Sequence, residues 1–263
     1  MILAIDIGNT NIKYGIYEGL NLKASFRVSS AKNRTADEYG ATICALLSYR
    51  GFAPKDITGI IMSSVIPSLN YTMQHMCSYF FGIEPLMVGP GIKTGLNLKV
   101  ENPREVGADR IASSVGAYVK YGGPVIVIDF GTATTFHVVS GKGELLGGAI
   151  SPGIKGSLDS LVQSAAKLPH IELETPTQAI AKNTVTNMQA GVVYGFAGLT
   201  EKIVKKMKEE LKASGANNVR VIATGGLGEI ISKEADCIDV VDRTLTLDGL
   251  AHLYRLNGKE STK

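Results

Sequence analysis

ILAIDIGNTNIKYGIYEG, residues 2–19, opens the chain, and VIVIDFGTATTFHVVSGKG, residues 125–143, repeats its plan. Each has an apolar strand that reaches Asp, then an apolar residue, Gly, a Thr-bearing polar turn and a second strand ending near Gly. Aligning Asp6 with Asp129 sets Gly8 on Gly131 and Thr10 near the run Thr132 to Thr135. Such a turn is small and rich in hydroxyls, so its backbone N–H groups and Thr side chains can approach an anion closely. The Asp cannot touch a phosphate without repulsion, but it can hold a cation that does. One copy alone reads equally well as a polar β-turn. Two copies at matched positions point to a duplicated domain with a central cleft, where two facing turns would grip a polyphosphate from both sides.

The rest of the chain bounds this reading. It has 263 residues, 44% of them hydrophobic, and a net charge of +3, which is too small to argue for nucleic acid or an anionic membrane. No apolar run reaches the roughly 20 residues that span a bilayer. Residues 1–5 are apolar but stop at Asp6 without a basic flank, so no secretory signal is expected. Cys44, Cys77 and Cys237 are scattered and odd in number, which fits a reducing cytoplasm, and neither they nor the four histidines have metal-ligand spacing. A cytoplasmic protein without membrane or nucleic-acid partners is the expectation.

Strands and helices alternate along the sequence. Strands are expected at 2–6, 13–17, 59–67, within PLMVGPG (85–91), in the second hairpin and at VRVIATGG (219–226). Helices are expected over 36–50, within NYTMQHMCSYFFG (70–82), over 105–120, and over most of 187–213, where Thr200 is a plausible cap for TEKIVKKMKEELKASG. The stripe Met73, Met76, Tyr79 and Phe80 reads as core or dimer interface. Gly122-Gly123-Pro124 punctuates the chain, so lobes are expected at 1–120 and 121–257, with a disordered tail at 258–263. The class is α/β. Competing nucleotide motifs fail. Gly148 and Gly153 have P-loop spacing, but Ile154 stands where Lys is needed, and GPGIKTG (89–95) is one residue too long for a dinucleotide fingerprint.

The paired hairpins resemble the two phosphate loops of the acetate and sugar kinase/Hsp70/actin superfamily. Together with ENPREVGADRIA (101–112), GGAISPG (147–153) and KNT (182–184), DIGNT and DFGTATTF resemble type III pantothenate kinases over nearly the whole chain. That resemblance implies duplicated ribonuclease H-like (actin-like ATPase) domains with mixed sheets and flanking helices. It also implies ATP-dependent phosphorylation of pantothenate to 4′-phosphopantothenate, the first step towards coenzyme A, by a homodimer. The cofactors implied are Mg²⁺ with ATP and a monovalent cation, K⁺ or NH₄⁺.

The resemblance also distributes roles. Asp6 would orient Mg²⁺–ATP, with Gly8, Asn9, Thr10, Asn11 and Lys13 around the phosphates and Gly131 and Thr132 doing likewise from the second half. ATGG (223–226), with Gly225, resembles an adenosine loop, and Asp129 resembles the ligand of the monovalent cation. Pantothenate contacts fall on Val100, on Gly107, Ala108, Asp109 and Arg110, and on Thr184, which in this family reaches the neighbouring subunit's site. A kinase acting on an alcohol gains from a carboxylate that accepts the hydroxyl proton, so Asp109 is the candidate base. Without the motif, Asp109 reads as a helix cap and Arg110 as half of a surface pair. Arg110 has the planar fork that binds a carboxylate bidentately. Relatives often carry Tyr before ENP. Val100 stands there in this chain, so that contact is through backbone, is supplied elsewhere, or is lost. The alternatives are a kinase of another small alcohol or sugar acid, an exopolyphosphatase-like hydrolase, which leaves GADR without a substrate, and a non-catalytic nucleotide-binding regulator.

Overall fold

A computed structural model describes residues 1–258; of the expected tail, 258–263, all but Gly258 lies outside the described residues. In chain order the elements are β1 (Ile2–Ile7), β2 (Asn11–Glu18), β3 (Asn21–Ser29), α1 (Ala36–Tyr49), β4 (Gly59–Ser64), α2 (Pro67–Phe81), β5 (Leu86–Met87) and β6 (Asn97–Leu98). There follow α3 (Ala108–Tyr121), β7 (Val125–Phe130), β8 (Ala133–Val139), β9 (Glu144–Pro152), α4 (Ile154–Ser164), α5 (Thr184–Ala213), β10 (Arg220–Gly225), α6 (Gly228–Ile231), β11 (Val240–Val241) and α7 (Leu245–Asn257).

They form two compact units. The first comprises Met1–Asn97, Glu101–Val119 and the chain from Leu245 on; the second comprises Leu98–Val100 and Lys120–Thr244. The sheet of the first unit has the order β3-β2-β1-β4-β5, and that of the second runs β11-β10-β7-β8-β9-β6. In each, a three-strand antiparallel meander is followed by parallel pairing on the other side of its first strand. The repeat read in sequence is therefore a repeat of topology, and both sheets are mixed and flanked by helices.

Period-2 alternation along β1 divides its side chains between two faces. Leu3, Ile5 and Ile7 join Tyr39, Ile43 and Leu47 of α1 and Met73 and Met76 of α2 in one core cluster. Ala4 belongs to another cluster, with Ile111 and Val115 of α3 and Leu247 and Leu250 of α7. Asp6 shares the parity of Ala4, so it lies on the face that α3 covers. In the second unit Ile126, Ile128 and Phe130 of β7 pack with Val193 and Val204 of α5, and Asp129 falls on the opposite face.

Two expectations are corrected. The C-terminal lobe does not run to 257, because the apolar stripe of α7 packs with β1, β4 and α3 and places that helix in the first unit. Thr200 is no cap: it is fully buried inside a single 30-residue helix that starts at Thr184, where the Asn183 side chain accepts from Thr186 N–H. Of the stripe read as core or dimer interface, Met73 and Met76 are buried, Phe80 is half-buried and Tyr79 is exposed.

The α3–α7 contact brings backbone against backbone. A Cβ on Gly249 would run into the carbonyl oxygen of Ala112, and one on Gly116 into that of Leu245. Neither carbonyl can retreat without disturbing its helix. Gly249→Ala is therefore expected to lower stability by about 1–3 kcal/mol, the usual cost of overpacking. Urea denaturation checks this; a variant as stable as wild type would show that the helices separate freely.

Candidate active site

The first turn is built by its own backbone. Gly8 N–H donates to the Asn11 carbonyl at 3.1 Å, and Ser30 on the far side donates its hydroxyl to Gly8 O at 2.5 Å and its N–H to Thr10 O at 3.0 Å. Asn9 and Thr10 are left exposed at the tip. Just before the turn Asp6 is buried, with 6% of its surface exposed. The ladder sets its neighbours: Lys13 lies opposite on β2 and Ser63 alongside on β4. Ser63 Oγ donates to Asp6 Oδ1 at 2.8 Å, and Lys13 Nζ stands 3.8 Å from Oδ2.

Gly107 to Arg110 lead into α3. Asp109 sits in the first helical turn, where its Oδ1 accepts from Arg110 N–H at 2.8 Å and the helix dipole favours a carboxylate. A Cβ on Gly107 would lie 2.6 Å from that same Oδ1, so glycine leaves the carboxylate its room. Asp109 and Arg110 are half-buried, and burial lowers the Arg110 pKa while the Asp109 charge raises it. Asp109 also reaches Asp6 electrostatically. Burial raises the Asp6 carboxyl above its ordinary 3.8, Lys13 and the Ser63 hydrogen bond pull it down, and the Asp109 charge pushes it up. Two carboxylates, a lysine and a half-buried arginine thus belong to one region of the first unit.

In the second unit Gly131 N–H donates to the Ala133 carbonyl at 3.1 Å, closing a turn one residue shorter than the first, with Gly131 and Thr132 exposed. Asp129 is half-buried just before it. Gly225, at φ +94°, ends β10 against this hairpin; a Cβ there would meet Asp129 Oδ1 and Phe130 O at 2.6 Å. Gly153, the cap of α4, presses against the Gly131 and Thr132 carbonyls, which explains the last glycine of GGAISPG. Asp129, Gly131, Thr132 and Gly225 are thereby brought together. Thr184 is not part of this group. It opens α5 and lines a groove of about 730 Å³ between α4 and α5 with Leu161, Asn187, Met188 and Phe196. Val100 is half-buried, two residues past Leu98 of β6.

Sequence reasoning missed Ser63 and Thr224. Ser63 sits in GIIMSS, which reads only as a buried strand, and Thr224 sits in ATGG, where attention falls on the glycines. Their one signal is register, which cannot be read until the partner strands are known. No three His, Cys, Asp or Glu residues among those described cluster as a metal cage.

A family model for type III pantothenate kinases matches residues 2–206. The chain belongs to the type III pantothenate kinase family. Membership places it among ATP-dependent phosphotransferases that act on a small molecule. Solved structures share the fold at low identity. A Campylobacter jejuni protein labelled a Baf family transcriptional activator is 19% identical, with 96% of this chain and 97% of that one covered and a TM-score of 0.61. A Sinorhizobium meliloti protein labelled a 2-dehydro-3-deoxygalactonokinase is 12% identical, with 100% and 99% covered and a TM-score of 0.63. The inorganic polyphosphate/ATP-glucomannokinase of Arthrobacter sp. strain KM is 17% identical, with 97% and 98% covered and a TM-score of 0.51. The actin-like ATPase fold expected from the hairpins is thus the fold of this family member.

A raised carboxyl pKa means that folded Asp6 holds its proton to higher pH than the unfolded chain does. Stability therefore falls as pH rises from the ordinary value of 3.8 through the raised one, and the penalty persists above it. Asp6→Asn removes that penalty and can still accept from Ser63. Near neutral pH it is expected to melt no lower than wild type, with any gain shrinking as pH falls through that window, while turnover with ATP drops. Melting curves across pH check this. A variant markedly less stable at neutral pH would show that the carboxylate is a net structural support.

Proposed function

We propose that the protein is a pantothenate kinase that moves the γ-phosphoryl group of ATP to the terminal hydroxyl of pantothenate, giving 4′-phosphopantothenate for coenzyme A synthesis in the cytoplasm. The observation that carries this reading is the segment Gly107–Arg110, which holds a carboxylate and a half-buried guanidinium side by side within electrostatic reach of Asp6. Arg110 binds the substrate carboxylate through its fork. Gly107, Ala108 and Val100 contact the same molecule, Val100 through its backbone. Asp109 accepts the proton of the hydroxyl as its oxygen bonds to the γ-phosphorus and the bond to the ADP oxygen breaks.

Each polar turn takes phosphate oxygens: Gly8, Asn9, Thr10, Asn11 and Lys13 in one unit, Gly131 and Thr132 in the other, with Gly225 in the nucleotide loop. Asp6 orients the Mg²⁺ that arrives with ATP, a role a single buried carboxylate suits because Mg²⁺ keeps waters and substrate phosphates as its other ligands. Asp129 holds the monovalent cation. The surroundings fit one, since Thr224 beside it is fully buried with its hydroxyl unpartnered, and Gly225 keeps side chains off the carboxylate. When bound, the cation offsets negative charge near the phosphates.

The reading also makes the working form a homodimer, with Thr184 contributing to the partner's pantothenate site. The groove lined by Thr184 and the exposed Leu161, with the exposed Val185 next to Thr184, is the face we assign to the second copy. Sedimentation is expected to show a dimer. Mixing inactive Asp109→Asn and Thr184→Arg protomers is expected to restore some activity, because one of the two mixed sites is intact; a fully active monomer overturns the assembly.

ADP release measured with and without pantothenate tests the function itself. Release that depends on a sugar acid or another small alcohol instead favours the alternative kinase reading, and release that needs no acceptor favours a hydrolase. Asp109→Asn should bind pantothenate within about tenfold of wild type, one altered hydrogen bond, while turnover falls by at least about 10²-fold. Calorimetry and steady-state kinetics on one preparation check both; near-normal turnover would leave Asp109 a cap rather than the base.

A further inference from the structure

Ser63 stands where the fold alone would place an aliphatic side chain. It follows Ile61 along β4, on the sheet face that also carries Ala4, and it is fully buried. Its hydroxyl donates to Asp6 Oδ1 at 2.8 Å. Register does not by itself produce such a bond: the matching position beside Asp129 is Thr224, whose buried hydroxyl makes no hydrogen bond among the described residues. The two oxygens of Asp6 are thus held differently. Oδ1 takes a short bond from a side chain with one rotatable stem on a buried strand. Oδ2 faces Lys13, whose Nζ is 3.8 Å away, beyond hydrogen-bond length, on a flexible side chain that is 30% exposed. The last torsion of an aspartate is broad, so one fixed oxygen decides where the other points.

We propose that Ser63 is a positioning residue of the nucleotide site: its bond to Oδ1 sets the Asp6 carboxylate so that Oδ2 is the oxygen offered to Mg²⁺, and keeps that oxygen from closing onto Lys13. This rests on the reading that Asp6 orients the Mg²⁺ of ATP. Without Ser63 the carboxylate is free to turn until Lys13 makes a full hydrogen-bonded ion pair with it, at about 2.7–2.9 Å. That pair withdraws Oδ2 from the metal while costing the fold little, because it satisfies the carboxylate in another way. Carboxylates that serve metals are commonly held by an outer partner of this kind, and losing one costs about 10–100-fold in metal affinity or activity.

The test is calorimetric binding of the ATP analogue AMPPNP, with Mg²⁺ and with EDTA, to wild type, Ser63→Ala and Ser63→Cys, and to Asp6→Asn with and without Ser63→Ala. Mg²⁺ should tighten binding to wild type. Ser63→Ala should bind the analogue about tenfold or more weakly than wild type when Mg²⁺ is present, and within about threefold of wild type in EDTA. Ser63→Cys keeps the shape but offers only a weak donor, so it should show the same pattern, and it decides if Ser63→Ala does not fold. In Asp6→Asn the advantage given by Mg²⁺ should already be gone, and adding Ser63→Ala should change nothing further. Weakening that is equal with and without Mg²⁺, no weakening at all, or a further loss in the Asp6→Asn background overturns the proposal and leaves Ser63 a structural residue. A wild type without the Mg²⁺ advantage, or Asp6→Asn that keeps it, overturns the Asp6 reading itself.

Discussion

A carboxylate at the carboxyl end of the central strand, on the face away from the main core cluster, is the constraint on which both units are arranged. Sheet geometry fixes its neighbours. One flanking strand is antiparallel and returns through a tight turn, and the other is parallel and arrives through a helical crossover, so the strand end is a point where the topology changes direction. Open α/β sheets bind ligands at such points. Burying Asp6 there costs stability, which Ser63 and Lys13 offset only in part, since its carboxyl pKa stays above the ordinary value. Active sites commonly keep groups that the fold alone would not choose.

The repeat, the strand–helix alternation and the identity of the acidic turns were legible in sequence because they depend on local pattern. DIGNT and DFGTATTF each carry the strand, the acid and the turn within a few residues, and the two copies vouch for one another. What depends on pairing was not legible. Ser63 is 57 residues from Asp6 and meets it only through the β1–β4 register. Thr200 looked like a cap because it precedes a charged amphipathic run, yet the helix had begun at Thr184 and tertiary burial overrode the local signal. The α3–α7 contact left only two glycines in sequence, Gly116 and Gly249, among 30.

The candidate residues of GADR illustrate how far local and functional readings overlap. Asp109 does sit in the first helical turn and does accept a backbone N–H, as a capping role would have it. Its charge is nonetheless felt at Asp6, which a surface cap would not manage. The glycine that precedes it has a steric reason, because its missing Cβ is the space the carboxylate occupies.

The position of α7 bears on how the chain is made. The second unit is drawn almost wholly from one continuous stretch, Lys120–Thr244, all of it translated before α7. The first unit starts the chain, yet the face of its sheet that carries Ala4 and Ile61, packed in part by α3, is fully covered only once Leu245–Asn257 is added. During synthesis the N-terminal unit therefore cannot be finished first, as N-terminal domains usually are. A chain that ended before Leu245 would leave part of the first unit's apolar face, around Ala4 and Ile61, open to chaperones.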